Sequence, residues 1–235
     1  MRDPCAESVY KSGEVADQAI PLLIESGRER KHHNRGAMSN TPGFEERLPQ
    51  LIASACDGDE HASAEIYHHY VRAIYRLAYG VLLNSQDAEE VVQDTFSYAL
   101  FNLGRYDPAR SAFRTWLYTI TMSRCRNKRR RRLFPLINLS DVIEFLPSAE
   151  GQPEHAAEEA GLRETIFEAL RHISPKLREA VVLRYFDGLS YREMGDVLGC
   201  SQKTAESRVR LAHDALYRLL EERQDMLPEW LFTRG

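Results

Sequence analysis

The residues of this sequence that could do chemistry are its histidines, its cysteines and one dense run of cations. His32 and His33 lie in a polar N-terminal stretch, and His68 and His69 lie within a helical pattern. No Ser/His/Asp order, HExxH motif, glycine-rich phosphate loop or EF-hand loop accompanies them. We therefore interpret these histidines as solvated or helix-packed side chains. We expect no catalytic residue, and so a protein that is not an enzyme.

The cysteines do not form a metal or disulfide framework. None belongs to a CxxC or Cys/His cluster, and such scattered thiols are typical of a reducing compartment. The four are Cys5, Cys56, Cys125 and Cys200. The N-terminus shows no secretory signal, and no apolar run approaches the roughly 20 residues that span a bilayer. We expect a cytoplasmic protein with no metal and no cofactor.

The cations are concentrated in the stretch SRCRNKRRRRLF at 123–134. Seven of the nine residues from Arg124 to Arg132 carry a positive charge, although the 235-residue chain has a net charge of −4. Three interpretations compete: a solvated helix end, a nuclear-targeting patch, and the edge of a helix that contacts nucleic-acid phosphates. A nuclear signal needs a eukaryotic context that nothing else in the sequence supports.

Hydrophobic periodicity predicts an all-α protein of two small domains. From Phe44 onward apolar residues recur at helical spacing, as at Ile66, Tyr70 and Ile74. No strand pattern is present. The predicted divisions are a disordered leader at 1–43, a helical domain at 44–134, an acidic linker at 135–160, a helix-turn-helix domain at 161–224 and a tail at 225–235. Translation could start at Met1 or at Met38, where the polar leader ends.

Local signals place several helix ends. Asn84 or Ser85 is the predicted N-cap of the helix that begins before Asp87. Pro175 suits the first position of a helix. Ser190 with Glu193 forms a capping box. Gly199 supplies a left-handed turn, and Ser201 caps a longer helix, which together are typical of a helix-turn-helix. The second helix of such a motif can lie in the major groove.

At these residues the chain resembles a known family. DAEEVVQDTF, FRTWLYTI with its basic helix end, and LREAVVLRYFDGLSYREMGDVLGCSQKTAESR are similar to the extracytoplasmic-function (ECF) sigma factors of bacterial RNA polymerase. The first two match sigma region 2, at roughly 60–134, and the third matches sigma region 4, at roughly 162–222. The pair occurs in the family's order and covers over half of the chain. The short linker also fits this group, which lacks a region 3 domain.

The resemblance implies a bacterial, cytoplasmic sigma factor that recruits core RNA polymerase to specific promoters and opens the minus-ten element to initiate transcription. The implied partners are core polymerase (its beta-prime clamp and beta flap), promoter DNA and an anti-sigma factor, with no membrane insertion. The alternative is an autonomous helix-turn-helix transcription regulator that binds duplex DNA. That alternative explains the C-terminal motif alone.

The resemblance also assigns residues to contacts with polymerase and with the minus-ten element. The surface for the clamp matches the start of the helix after Asn84. Its residues are Asp87, Glu89, Glu90, Gln93 and Asp94. In the family, the loop and helix at Asn102–Ser123 capture the melted strand of the minus-ten element, and aromatic faces with nearby cations can hold unstacked bases. The candidates are Arg105, Tyr106, Arg114, Trp116, Tyr118 and Ser123. Trp116 by itself is more typical of a core residue, and Ser123 stands where the family often has Asn.

The resemblance implies that the remaining groups contact duplex DNA. Following the aromatic segment, the basic run is best interpreted as a sequence-independent contact with promoter phosphates. Its candidates are Arg124, Lys128, Arg129, Arg130 and Arg131. The helix after Ser201 matches the element that reads the minus-thirty-five sequence. Its candidates are Gln202, Lys203, Thr204, Glu206, Ser207 and Arg208. Glu206 and Leu211 depart from the Lys and Arg that are common there.

Overall fold

The computed structural model describes residues 43–133 and 166–221, and the regular elements within these ranges are helical. The first range forms an N-terminal bundle. Its elements are α1 (Phe44–Cys56), α2 (Glu60–Leu82), α3 (Ser85–Phe101), a 3₁₀ turn (Leu103–Arg105) and α4 (Phe113–Leu133).

Local capping explains where two of these helices begin. The Asp59 carboxylate accepts hydrogen bonds from the backbone N–H groups of His61 and Ala62, which fixes the start of α2. Asn84 does the same for α3, because its side-chain oxygen accepts from the N–H of Asp87 at 2.8 Å. Of the two predicted N-caps, Asn84 is therefore the one used.

The core of the N-terminal bundle lies between α2 and α4. Ile74 and Leu77 of α2 and Leu117 of α4 have no exposed surface. The Tyr70 ring packs on the Phe113 ring with 5.4 Å between centroids. Burial of large side chains such as these contributes about 1.5–3 kcal/mol each, which is what holds three long helices together.

The second range forms a C-terminal bundle. Its elements are α5 (166–172), α6 (Pro175–Val181), a π-helical turn (Val182–Phe186), α7 (Tyr191–Leu198) and α8 (Gln202–Glu221). The predicted first-position proline and the predicted capping box are both confirmed. The Ser190 hydroxyl accepts from the Glu193 N–H, and the Ser190 N–H donates to the Glu193 carboxylate at 2.8 Å.

Helices α7 and α8 form the predicted helix-turn-helix. Gly199 ends α7 with φ 67°, a left-handed conformation that glycine adopts without steric cost. Gly195 lets the two helices approach, since a β-carbon there would lie 2.8 Å from the carbonyl oxygen of Cys200. The helix-turn-helix thus depends on two glycines: Gly199 supplies the left-handed turn, and Gly195 allows the close approach.

The two bundles pack against each other. Residues of α2 and α4 share one buried cluster with Val182, Leu183 and Leu189 of the C-terminal bundle. The predicted all-α fold class is confirmed. The predicted linker and tail, and the leader up to residue 42, lie outside the described residues, and the domain bounds remain predictions. No helix within 43–133 or 166–221 is long and apolar enough to cross a membrane.

Candidate polymerase and nucleic-acid interface

The proposed polymerase surface lies on α3, and most of it is open to solvent. Glu89, Glu90, Gln93 and Asp94 are exposed and lie on one side of the helix. Their opposite side buries Val91, Val92, Thr95 and Phe96 in the core. Glu89, Gln93 and Asp94 are therefore available to a partner without any change in the bundle, whereas Glu90 pairs with Lys128 of α4.

Asp87 differs from its neighbours because it is buried and ion-paired. It is only 5% exposed, and its carboxylate lies 2.8 Å from Nε of Arg132 and 3.5 Å from Nζ of Lys128. Lys128 also pairs with Glu90. Asp87 thus joins the start of α3 to the end of α4, and in this arrangement it is a structural ion pair rather than an accessible contact.

An aromatic cluster connects the loop after α3 to the start of α4. The Tyr106 ring lies 5.0 Å from the Phe113 ring and 5.5 Å from the Trp116 ring. The Tyr106 hydroxyl donates to the carbonyl of Ser111 at 3.1 Å, and burial raises the pKa of that hydroxyl. Trp116 is half-buried and packs against the core, as the sequence indicated. Arg105 lies exposed in the same loop.

Two other minus-ten candidates face the C-terminal bundle. Tyr118 has no exposed surface, and burial together with the charge of Asp187 raises the pKa of its hydroxyl well above the usual range. It is a packing residue in this arrangement, and its role as a base contact stays a prediction. Arg114 is half-buried, and its Nη2 lies 3.3 Å from the Glu193 carboxylate. Ser123 is exposed further along α4.

The basic end of α4 divides its cations among three surroundings. The Arg124 guanidinium lies over the Tyr98 ring of α3 at 4.9 Å, and Lys128 pairs with acids of α3. Arg129 points to the C-terminal bundle, where it pairs with Glu179 at 3.1 Å. The side chains of Arg130 and Arg131 are exposed. The run is therefore partly neutralised within the chain and partly open to solvent.

The proposed minus-thirty-five residues lie along the first two turns of α8. The predicted N-cap is confirmed by a hydrogen bond of 3.1 Å from the Thr204 N–H to the Ser201 hydroxyl. Ala205 and Val209 are buried and fix the rotation of the helix. That rotation leaves Gln202, Lys203, Thr204 and Glu206 exposed and Ser207 and Arg208 half-buried.

Sequence reasoning missed the residues that join the bundles. Arg126 and Glu179 are paired at 2.9 Å, and Arg76 and Asp187 are paired at 3.1 Å. No local signal marks these pairs, because their members are 53 and 111 residues apart.

Phe101, which is 90% exposed, was also missed. The sequence could have predicted this exposure, since Phe101 lies outside the apolar stripe of α3. Within the described ranges, no group of three His, Cys, Asp or Glu side chains could hold a metal ion.

Comparison with known proteins assigns the two bundles. The family model described as Sigma-70 region 2 matches residues 66–133, and that described as Sigma-70, region 4 matches residues 163–216. The ECF RNA polymerase sigma factor SigW of Bacillus subtilis (strain 168) is 30% identical over 192 residues, which are 76% of this chain and 100% of SigW. The chain belongs to the ECF sigma factors of the sigma-70 family. The predicted family is confirmed, and an autonomous regulator is not favoured.

Other relatives of this sigma factor agree in sequence and in fold. CnrH of Cupriavidus metallidurans is 31% identical over 178 residues, covering 73% of this chain and 93% of CnrH. The structure of CnrH in complex with the cytosolic domain of CnrY matches with a TM-score of 0.54 and 28% identity, over 74% of this chain and 96% of that one. The structure of RpoE with the anti-sigma factor NepR from Bartonella quintana matches in fold, with a TM-score of 0.51 and 22% identity over 76% of this chain and 96% of that one.

Proposed function

We propose that this sigma factor binds core RNA polymerase, directs it to specific promoters and opens the minus-ten element, with no catalytic activity of its own. The observation that carries the proposal is the ordered match to sigma regions 2 and 4, each on its own folded bundle. The proposed place of action is the bacterial cytoplasm.

Each proposed step is assigned to a group of the described residues. The exposed side of α3 at Glu89, Gln93 and Asp94 is the proposed contact with the polymerase clamp. The loop and the start of α4 are proposed to hold the melted strand, because the Tyr106 and Trp116 rings lie 5.5 Å apart and Arg105, next to Tyr106 in the chain, is exposed. Aromatic faces hold unpaired bases at about 1–3 kcal/mol per base, and nearby cations attract the backbone.

Contacts with duplex DNA are assigned to the two remaining surfaces. Arg130 and Arg131 extend from the end of α4 and are proposed to contact phosphates without reading sequence. The exposed start of α8 is proposed to read the minus-thirty-five element from the major groove. CnrH was solved in complex with the cytosolic domain of CnrY. We propose that this sigma factor also has a protein partner, an anti-sigma factor.

Reconstitution with bacterial core polymerase tests the function. The full chain should be retained by immobilised core polymerase, and the mixture should produce run-off transcripts from a promoter subset that core polymerase alone does not use. A chain that binds duplex DNA specifically but is not retained by core polymerase would instead support the autonomous regulator.

A further inference from the structure

Helix α1 lies before the part of the chain that the sigma region 2 model matches. The match begins at residue 66, whereas α1 spans Phe44–Cys56. The helix packs on α2 and also contacts the 3₁₀ turn Leu103–Arg105, which follows α3. Its buried residues are Phe44 and Leu48. Helix α1 therefore reaches the loop that is proposed to hold the melted strand.

Phe44, the first residue of α1, begins a continuous series of ring contacts. Its ring lies 5.8 Å from the Tyr70 ring of α2, in an edge-to-face arrangement. The Tyr70 ring lies 5.4 Å from the Phe113 ring at the start of α4. The Phe113 ring in turn lies 5.0 Å from the Tyr106 ring and 5.4 Å from the Trp116 ring. The two rings that are proposed to hold an unpaired base thus connect to Phe44 through two buried rings.

The position of Phe44 is fixed from its other neighbours as well. The His69 ring stacks on the Phe44 ring, with 3.5 Å between centroids and 5° between planes. Gly43 precedes the helix with φ 91°, a left-handed conformation that favours glycine. Phe44 is 2% exposed. Because packed interiors are hard to compress, they transmit a displacement to their neighbours, so a change at Phe44 should be felt along the ring series.

Glu45 places a carboxylate of α1 beside the same rings. The Tyr70 hydroxyl donates to the Glu45 carboxylate at 3.4 Å. Burial raises the pKa of the Tyr106 hydroxyl, and the charge of Glu45 adds to the shift. That hydroxyl donates to the carbonyl of Ser111 at 3.1 Å, which holds the loop between α3 and α4 closed. Two adjacent residues of α1 therefore act on the aromatic cluster, one through ring contacts and the other through charge.

We propose that Phe44 is a positioning residue for recognition of the minus-ten element. Through Tyr70 and Phe113 it holds the Tyr106 and Trp116 rings, whose planes are inclined by 46°, in the orientation that receives an unpaired base. It acts through these side chains and not on DNA, because it is buried. The consequence for promoters rests on the proposed function, whereas the control of the Trp116 ring does not.

Tryptophan fluorescence tests whether Phe44 orients Trp116. The sequence has two tryptophans, so Trp116 is the single emitter in a chain that carries Trp230→Phe. Phe44→Ala in this chain should shift the Trp116 emission to longer wavelength and increase its quenching by acrylamide. The matched control is Leu48→Ala, at the other buried residue of α1, which has no ring to contribute. It should lower the thermal midpoint as well, but leave the emission unchanged.

Both variants are measured well below their thermal midpoints, and circular dichroism verifies that they are folded. Phe44→Leu keeps an apolar side chain at the position and should give a smaller shift in the same direction, so the test stands even if Phe44→Ala does not fold. An emission spectrum unchanged by Phe44→Leu and Phe44→Ala would overturn the proposal. So would an equal shift in the Leu48→Ala chain, because the effect would then be a general loss of packing.

An abasic scan tests the consequence for promoters. Holoenzyme is bound to a promoter found by run-off transcription, with the minus-ten segment single-stranded and one base removed at a time. Removal of the stacked base should weaken binding by the parent chain. Phe44→Ala should weaken binding to the intact probe by about fivefold, the lower end of what loss of a base stack costs. It should also be insensitive to removal of that base. Leu48→Ala should keep the sensitivity, and a full abasic penalty in Phe44→Ala would refute the proposal.

The two measurements separate this proposal from the proposed function. If the parent chain supports no promoter-specific transcription, the proposed function fails, and the fluorescence comparison still decides whether Phe44 orients Trp116. If the parent chain directs transcription but Phe44→Ala and Leu48→Ala behave alike in both measurements, the positioning role fails and the proposed function stands.

Discussion

The Arg126 guanidinium donates from Nε and Nη2 to one carboxylate oxygen of Glu179, at 3.2 and 2.9 Å, across the contact between the two bundles. Cys125, the residue before Arg126, is fully buried beside this pair. Burial raises the pKa of its thiol to about 12, the charge of Glu179 adds to the shift, and Arg129 and Arg126 oppose it. The accessibility of the Cys125 thiol therefore reports whether the two bundles are in contact.

Thiol labelling should follow the opening of the bundles. At mildly alkaline pH a disulfide reagent should modify exposed Cys56 rapidly and Cys125 very slowly, because Cys125 is both inaccessible and protonated. Glu179→Gln should speed the labelling of Cys125 several-fold and leave Cys56 unchanged, as followed by mass spectrometry. Equal protection of Cys125 in both chains would mean that Glu179 does not hold the bundles together.

Two sets of substitutions on α3 should have different effects, one on polymerase binding and the other on stability. Gln93→Lys with Asp94→Lys should weaken retention by core polymerase through repulsion from a basic clamp, and should leave the thermal midpoint unchanged because both side chains are exposed. Asp87→Asn should instead lower the free energy of unfolding by about 1 kcal/mol, since its partner Arg132 is largely open to water. Undiminished retention by the double variant would remove this surface from the proposed function.

The exposed cations at the end of α4 should act through charge alone. Arg130→Gln with Arg131→Gln keeps a similar helix propensity. The salt slope of holoenzyme–promoter binding should become shallower by up to about 0.9 per lost contact, and affinity should fall equally on promoters with different minus-ten bases. A loss confined to certain base sequences, or an unchanged slope, would favour the interpretation as a solvated helix end.

Substitution of two aromatic residues near the loop between α3 and α4 should have different effects on stability. Trp116→Ala should lower the free energy of unfolding by about 2–3 kcal/mol, somewhat less than for a fully buried aromatic ring, because Trp116 packs on Tyr106 and Phe113. Phe101→Ala should change it little, because Phe101 is 90% exposed. Urea denaturation measures both. A large loss of stability in Phe101→Ala would show that its ring packs in solution.

The helix-turn-helix should be sensitive to one methyl group. Gly195→Ala would normally favour a helix interior, yet here the new β-carbon would meet the Cys200 carbonyl at 2.8 Å, so the thermal midpoint should fall. The control is Gly104→Ala, at a glycine whose added β-carbon would meet nothing within 4 Å. A stabilised Gly195→Ala chain would show that α7 and the turn can move apart at little cost.

Sequence reasoning succeeded where structure depends on neighbours along the chain. Asn84, the Ser190–Glu193 box and Gly199 all act within four residues of the helix end that they define, so their types predicted their roles. The residues after Asp87 that are proposed to contact the clamp were likewise found exposed, since the apolar stripe of α3 fixes its outer side.

The same reasoning did not predict which side chains meet a distant element. Asp87 looked like one more surface acid, but it is paired with Arg132 at 2.8 Å. Tyr118 looked like an aromatic base contact, but it is completely covered. An acid or a tyrosine on a helix has no sequence signature that separates a solvent-facing position from one that another helix covers.

The sequence by itself determined the helices, their caps and the order of the two sigma regions, because hydrophobic periodicity and capping are local interactions. Only the tertiary structure decided which cations of 124–132 remain open, since Glu179 lies 50 or more residues away from the arginines that it binds. Charge attraction does not depend on sequence separation, so the partner of a buried arginine is set by how the bundles pack. That packing turns one basic helix into three surfaces: one bound to α3, one bound to the C-terminal bundle, and one open to solvent.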